Sequence, residues 1–220
     1  MAHNVQVVNH PVVQAKLSQL RNTQTTPKDF RELTHEVSLL LGYEASRSLQ
    51  FRHYTAQTPV AAFNALAIHP RIGLAPIMRA GIGMTDALLA LHPDAHVYHL
   101  GLFREKISLQ PVEYYNKLPE RPTVDLVFLL DPMIATAGTA CAAMHMLIDW
   151  GIPVQNIKLI SIVASQTGID VLSKEFPALE IWTAAVDPQL VVHAGEGGKI
   201  APGLGDAGDR LFNTHAPTFA

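Results

Sequence analysis

Cys141 is the single cysteine in 220 residues, so no internal disulfide can form and a cross-linked secreted scaffold is excluded. The lone thiol is expected to be free and buried at the start of a helix, in a reducing compartment. No apolar run approaches the roughly eighteen residues of a membrane span. No charged-then-apolar leader is visible either, so neither a span nor a signal peptide is expected and the protein is placed in the cytoplasm. Charge is scarce as well: 16 Lys and Arg against 19 Asp and Glu leave a formal −3, with the basic residues scattered. That excludes the basic field a nucleic-acid partner requires. Repeats and low-complexity tracts are missing. Apolar residues, at 48%, are plentiful enough for a substantial core in one domain.

Two helices are predicted first. Pro11 suits a first helical position, with Val13, Leu17 and Leu20 at helical spacing. Thr26, Pro27 and Asp29 form a capping-box start for a longer helix with the apolar stripe Phe30, Leu33, Val37, Leu40 and Leu41. From about Arg71 the pattern changes to short apolar strands alternating with helical segments, near 72–78, 97–103, 126–131, 157–164 and 181–186. This alternation predicts an α/β fold with a mainly parallel sheet and helices on its faces. Residues 104–124 hold Pro111, Pro119 and Pro122 and are long for a βα connection, as in a mobile flap or arm. Glycine-rich residues 187–220 read as a hood over the sheet.

The segment Leu126–Thr139 is the most informative. An apolar run ends in Asp131, turns through Pro132, Met133, Ile134, Ala135, Thr136 and Ala137, and enters a helix at Gly138 and Thr139. Hydroxyls and backbone N–H groups at a helix N-terminus attract anions, so the turn reads as a phosphate cradle. Asp131 then faces a sugar hydroxyl or a metal on the ligand. An ordinary βα turn, with the acid merely capping the helix, is the plain alternative. In a parallel sheet all strand carboxyl ends share one rim, so this loop is expected to converge with Met78–Gly81, Phe103–Lys106 and Pro202–Arg210. Arg79 and Arg104 suit a diphosphate through forked hydrogen bonds. The glycines of 202–208 permit main-chain groups to meet a small planar ligand, with Asp206 available for a ribose hydroxyl or ring N–H. Asp209 is expected to pair with Arg210 and cap the short 207–212 segment. His92, His96 and His99 straddle a Pro93-Asp94 turn, so no metal is assigned to them. Met144 and Met146 read as packing residues.

Five motifs in order then carry a resemblance: His10-Pro11 with Phe30-Arg31-Glu32-Leu33; Pro76-Ile77-Met78-Arg79-Ala80-Gly81; Pro111-Val112-Glu113-Tyr114-Tyr115; Asp131 to Thr136; and Pro202 to Asp209. Over nearly its whole length the chain resembles the uracil phosphoribosyltransferase family. The resemblance implies the type I phosphoribosyltransferase fold as one domain, with a core of about 65–186 and a hood of about 187–220 packed with the N-terminal helices. It implies conversion of uracil and 5-phosphoribosyl 1-diphosphate (PRPP) to UMP and diphosphate in pyrimidine salvage. By the same resemblance Arg79, Arg104, Asp206 and the loop Asp131–Thr139 contact PRPP, with Arg104 and Asp206 as catalytic residues. Uracil lies against Ile200, Gly205, Asp206 and Ala207. Mg²⁺ is implied, held mainly through PRPP oxygens since Pro132 stands where other phosphoribosyltransferases have a second acid. Homodimers or homotetramers are implied, with the 111–118 arm embracing a neighbour. Some relatives are activated by GTP, and no residue here marks such a site.

The chain departs from the family pattern at three places. Ala137 replaces a usual glycine and adds a methyl in the tightest part of the loop, where the backbone conformation can disfavour alanine. Residues 191–199 run a few residues long and lack a tyrosine before Ile200. Asn213 replaces a glycine near the end. These leave two other readings open: a transferase for another base, and a nucleotide-sensing regulator that kept the fold without turnover.

Overall fold

The computed structural model describes residues 4–104, 111–191 and 198–214. Strand β1 (Val5–Val7) leads into helix α1 (Pro11–Arg21) and helix α2 (Pro27–Ala45). The α1 start is set by His10, whose Nδ1 accepts from the Val12 N–H, and α2 by Thr26, which accepts from the Asp29 N–H and donates to its carboxylate. The predicted faces are buried in both helices, except that Leu40 is half-buried while Thr34 and Ser38 lie fully inside.

A hairpin then follows, β2 (Phe51–Gln57) and β3 (Ala62–Ile68), paired only with each other. The sequence reading did not foresee it. Next come β4 (Ile72–Met78), α3 (Ile82–Leu91), β5 (His96–Val97), β6 (Leu100–Arg104) and β7 (Pro111–Asn116). Strand β7 corrects the reading of 104–124 as a flap: it pairs antiparallel with β6 at the sheet edge, and Trp150 fastens the following turn by donating from Nε1 to the Pro119 carbonyl at 2.6 Å. Residues 105–110 lie outside the described residues.

The chain continues through β8 (Leu126–Leu130), β9 (Met133–Ile134), α4 (Gly138–Trp150), β10 (Ile157–Ser165), α5 (Gln166–Glu175) and β11 (Glu180–Asp187). It closes with the hairpin β12 (Gln189–Val191) and β13 (Lys199–Ala201) and helix α6 (Ala207–Phe212). The main sheet runs β1-β11-β10-β8-β4-β6-β7, parallel except at β7, with β5 beside β4 and β9 beside β10. The expected α/β architecture is therefore present. Alternate strand residues feed two cores: Phe128 and Leu130 join Phe30, Leu41, Met84 and Leu88, whereas Val127 and Leu129 join Met144, Leu147 and Leu172.

Strand order decides where a ligand fits. After β4 the chain crosses through α3 toward β6, and after β8 it crosses through α4 toward β10, on the opposite side. The reversal between β4 and β8 opens a crevice at their carboxyl ends. The C-terminal segment closes over the first core: Ile200, Leu204, Ala207 and Leu211 pack in the cluster of α1, α2 and α3. Two arginines lock it there. Arg21 grips Asp187 bidentately at 2.7 Å and donates to the Gly203 carbonyl, while Arg210 donates to the carbonyls of Leu20, Asn22 and Leu204 and stacks 4.2 Å over Phe30.

Candidate active site

The crevice between β4 and β8 holds about 290 Å³ and is lined by Ile77–Ala80, Asp131, Met133–Ala140 and Asp206–Gly208. Thus Arg79, Asp131, the turn 133–139 and Asp206, 127 positions apart at the extremes, meet in one cleft, as expected from the shared rim.

The β8 side is the turn from Asp131 into α4. Asp131 stands half-buried at the end of β8, and the Met133 N–H approaches its Oδ1 at 3.4 Å. Loss of surrounding water pushes its carboxyl up to about 7, against the smaller opposing pull of that N–H. Pro132 does not face the cleft; it is buried and its carbonyl accepts from Ile162 and Val163 on β10. Ala137 is left-handed, with φ 65°, and forms the α4 N-cap without any side-chain hydrogen bond. Its methyl is buried in the second core. The turn is braced from behind: Ser165 donates to the Ala135 carbonyl at 2.5 Å and accepts from the Gly168 N–H at 2.9 Å. A Cβ at Gly168 would meet that same carbonyl at 2.6 Å.

The β4 side turns tightly. The Met78–Arg79 peptide is cis, and the Gly81 N–H donates to Ile77 O at 2.8 Å. Only glycine fits there, since a Cβ would run into the Leu130 carbonyl and lie 2.6 Å from the Ile77 nitrogen. Arg79, half-exposed, sends one N–H to Asp209 Oδ1 and another to Thr214 Oγ1, each at 3.1 Å.

The third wall is the start of α6. Asp206, the N-cap, accepts from the Asp209 N–H at 2.9 Å. The expected Asp209–Arg210 pair is not formed: Asp209 faces Arg79, Asp206 does the capping, and Arg210 turns away to the N-terminal helices. Burial lowers the Arg210 pKa, which its three carbonyl partners tolerate. Gly205, exposed with φ 79°, immediately precedes the wall, and Ile200 is buried in the cluster containing Leu204 and Ala207 without lining the cleft. Arg104 ends β6, but its side chain lies outside the described residues, as do residues 192–197 of the lengthened segment.

Sequence reasoning placed Gly208 in the backbone-reading loop without giving it a contact of its own, and it missed Thr214. Gly208 sits where a Cβ would lie 3.3 Å from Asp206 Oδ1 and 3.5 Å from the Arg79 guanidinium, so its glycine admits both groups. The glycine-rich stretch signalled the first; nothing in the sequence signals Thr214. Among the described residues no group of three or more His, Cys, Asp or Glu is placed to hold a metal ion. His92 stacks on Phe128 and bonds Ser46, while His96 bonds Tyr98 and Thr123. Cys141 is half-buried on the first turn of α4, and burial with a Glu175 hydrogen bond pushes its thiol up to about 12, which disfavours the thiolate.

The mainly parallel sheet flanked by helices, with its cleft at the strand-order reversal, has the type I phosphoribosyltransferase fold. Adenine phosphoribosyltransferase from Giardia lamblia shares it at 13% identity with a TM-score of 0.51, covering 80% of this chain and 85% of that one. The family model for uracil phosphoribosyltransferase matches residues 7–214, and the chain belongs to that family. It is 48% identical to uracil phosphoribosyltransferase of Roseiflexus sp. strain RS-1 over 96% of this chain and 98% of the relative. Identity to the enzyme of Streptococcus pyogenes serotype M1 is 46%, over 95% and 98%. Among solved structures, the AQ2163 protein from Aquifex aeolicus superposes with a TM-score of 0.88 at 29% identity, covering 96% of this chain and 99% of that one.

Proposed function

We propose that the chain is a pentosyltransferase that joins uracil N1 to C1 of the phosphoribosyl group of PRPP, giving UMP and diphosphate in pyrimidine salvage. The observation that carries this reading is the single cleft shared by Arg79, the Asp131–Thr139 turn and Asp206 in a chain of this family. The N1–C1 bond forms as the C1–O bond to diphosphate breaks, and the uracil N1 proton is lost. Because C1 passes through an oxocarbenium-like state, fixed charge on the departing diphosphate and exclusion of water do most of the catalytic work.

Arg79 and Arg104 take the diphosphate. The turn of Asp131, Met133, Ile134, Ala135, Thr136, Ala137, Gly138 and Thr139, with Pro132 anchoring it to β10 from behind, seats the ribose 5′-phosphate at the uncapped start of α4, with Asp131 toward the sugar. Gly205, Asp206 and Ala207 offer main-chain groups to uracil, with Ile200 behind them in the apolar cluster, and Asp206 also reaches the donor. A base presenting cytosine's edge would leave some of those groups unpaired, which discriminates strongly. Asp131 and Asp206 are the carboxylates in the cleft that would be at hand for Mg²⁺ carried in with PRPP. When bound it neutralises diphosphate charge.

The whole chain acts as one domain in the cytoplasm, and among the described residues no helix is long and apolar enough to cross a membrane. Its macromolecular partner is a second copy of itself, in a homodimer or homotetramer. The surface favoured for this is the β2–β3 hairpin, where Phe51, Tyr54, Phe63, Leu66 and Ile68 are exposed, more than the 111–118 arm.

The test is UMP formation by purified protein given uracil, PRPP and Mg²⁺, with and without GTP. Turnover of another base with none of uracil overturns the base assignment. The second reading, a regulator that binds PRPP without turnover, is favoured by one observation, the methyl of left-handed Ala137 in the phosphate turn. PRPP binding with no product from any base would establish it.

A further inference from the structure

We propose that Asp209 is a positioning residue for the reaction, holding the Arg79 guanidinium in register with Asp206 across the cleft; the proposal rests on the transferase reading above. Asp209 joins two groups that its own side chain does not need to touch in the same way. Its Oδ1 accepts from Arg79 at 3.1 Å and from the Thr214 hydroxyl at 2.6 Å, and Thr214 in turn accepts from the other arm of Arg79 at 3.1 Å. Its backbone N–H meanwhile donates to Asp206 Oδ1 at 2.9 Å. One residue therefore fixes the arginine assigned to the diphosphate by its side chain and the acid assigned to the donor by its main chain.

The grip on Arg79 is deliberate in chemistry. A guanidinium carries five N–H donors, and a bidentate carboxylate clamp would consume the fork that recognises a diphosphate. Here Asp209 takes one N–H and Thr214 another, from separate nitrogens, so three donors stay available. Arg79 is half-exposed and long, and without such a tether it samples many rotamers that the diphosphate would have to freeze. The tether is itself anchored: the Thr214 N–H donates to the Asp209 carbonyl, and Gly208 beside it leaves room for both Asp206 and Arg79. Partners of this kind orient the groups that contact substrate.

The experiment measures steady-state kinetics and PRPP calorimetry on the wild type, Asp209→Asn, Asp209→Ala and Thr214→Val. Wild-type UMP formation verifies the underlying transferase reading; if it fails, calorimetry of PRPP still tests the tether. Asp209→Ala is expected to lower kcat/KM for PRPP about 10- to 100-fold while KM for uracil stays within about threefold. Asp209→Asn, which keeps an acceptor, is expected to recover most of the loss. Thr214→Val is expected to raise KM for PRPP severalfold, and it serves alone should Asp209→Ala not fold. A purely structural role in α6 would shift both substrates together, since Asp206 and Ala207 share that helix, and this overturns the proposal. Tighter PRPP binding by Asp209→Ala also overturns it, marking Asp209 as a competitor for Arg79.

Discussion

Asp131 carries the clearest residue-scale consequence. Its carboxyl is pushed up to about 7, whereas the unfolded chain titrates near 3.8. The folded state thus binds the extra proton, and that stabilisation is full below pH 3.8 and disappears as pH rises through about 7. Asp131→Asn is expected to match the wild type in urea unfolding near pH 3.5 and to exceed it by about 4 kcal/mol at pH 8, the gap opening as pH rises above about 4. Equal pH dependence in both proteins would show that the carboxyl titrates normally. A PRPP complex that uses Asp131 as carboxylate should also release a proton at pH 6.5, visible as a buffer-dependent heat. Ala137 is the second case. A left-handed alanine costs on the order of 1 kcal/mol, and Ala137→Gly removes that cost along with a buried methyl of similar worth. The glycine variant should therefore stay within about 1 kcal/mol of wild type and turn over at least as fast, whereas Ala137→Val should lose more than about 2 kcal/mol.

At the scale of elements, the hood stands or falls with its two arginines. Asp187 is 4% exposed and its charge is met by Arg21 and by the Gly203 N–H. Arg21→Met leaves that carboxylate in the interior with one donor, so about 3 kcal/mol of stability should be lost in chemical denaturation, with a raised KM for uracil. Such pairings explain what the sequence could and could not disclose. Helices α1 and α2 were legible because Pro11, Thr26 and the apolar spacing act within one or two turns. Strands β4, β8, β10 and β11 were legible as apolar runs between turn signals. The β2–β3 hairpin was not, because Phe51–Gln57 and Ala62–Ile68 carry apolar side chains on both faces and bury little beyond Ala65, so no alternating pattern marks them. Strand β7 was hidden by the prolines around it, and its place is fixed by β6, not by its own residues. The Arg79–Asp209 pair joins residues 130 apart, a distance no local pattern spans. Asp209 instead invited pairing with its neighbour Arg210, whose true partners are carbonyls of the N-terminal helices.

On the scale of the whole molecule, the β2–β3 hairpin leaves an apolar face exposed. In the hairpin register Phe51 opposes Ile68 and His53 opposes Leu66, so Phe51, Leu66 and Ile68 share a face, and they are 57%, 54% and 47% exposed. A two-stranded sheet with such a face is marginal in water unless something packs on it. Light scattering is expected to give a dimer or tetramer, and Leu66→Asp should shift it toward monomer at micromolar concentration. A monomeric wild type would refute the hairpin interface. The parallel sheet also makes the cleft a shared property of distant segments, since every contribution to it arrives at the same rim from a different stretch of chain.

Ser165 ties the phosphate turn to the first turn of α5 by holding the Ala135 carbonyl and the Gly168 amide at once. If an anion binds on the far side of that turn, the Gly168 amide, which does not line the cleft, should exchange its hydrogen with deuterated solvent more slowly once PRPP is added.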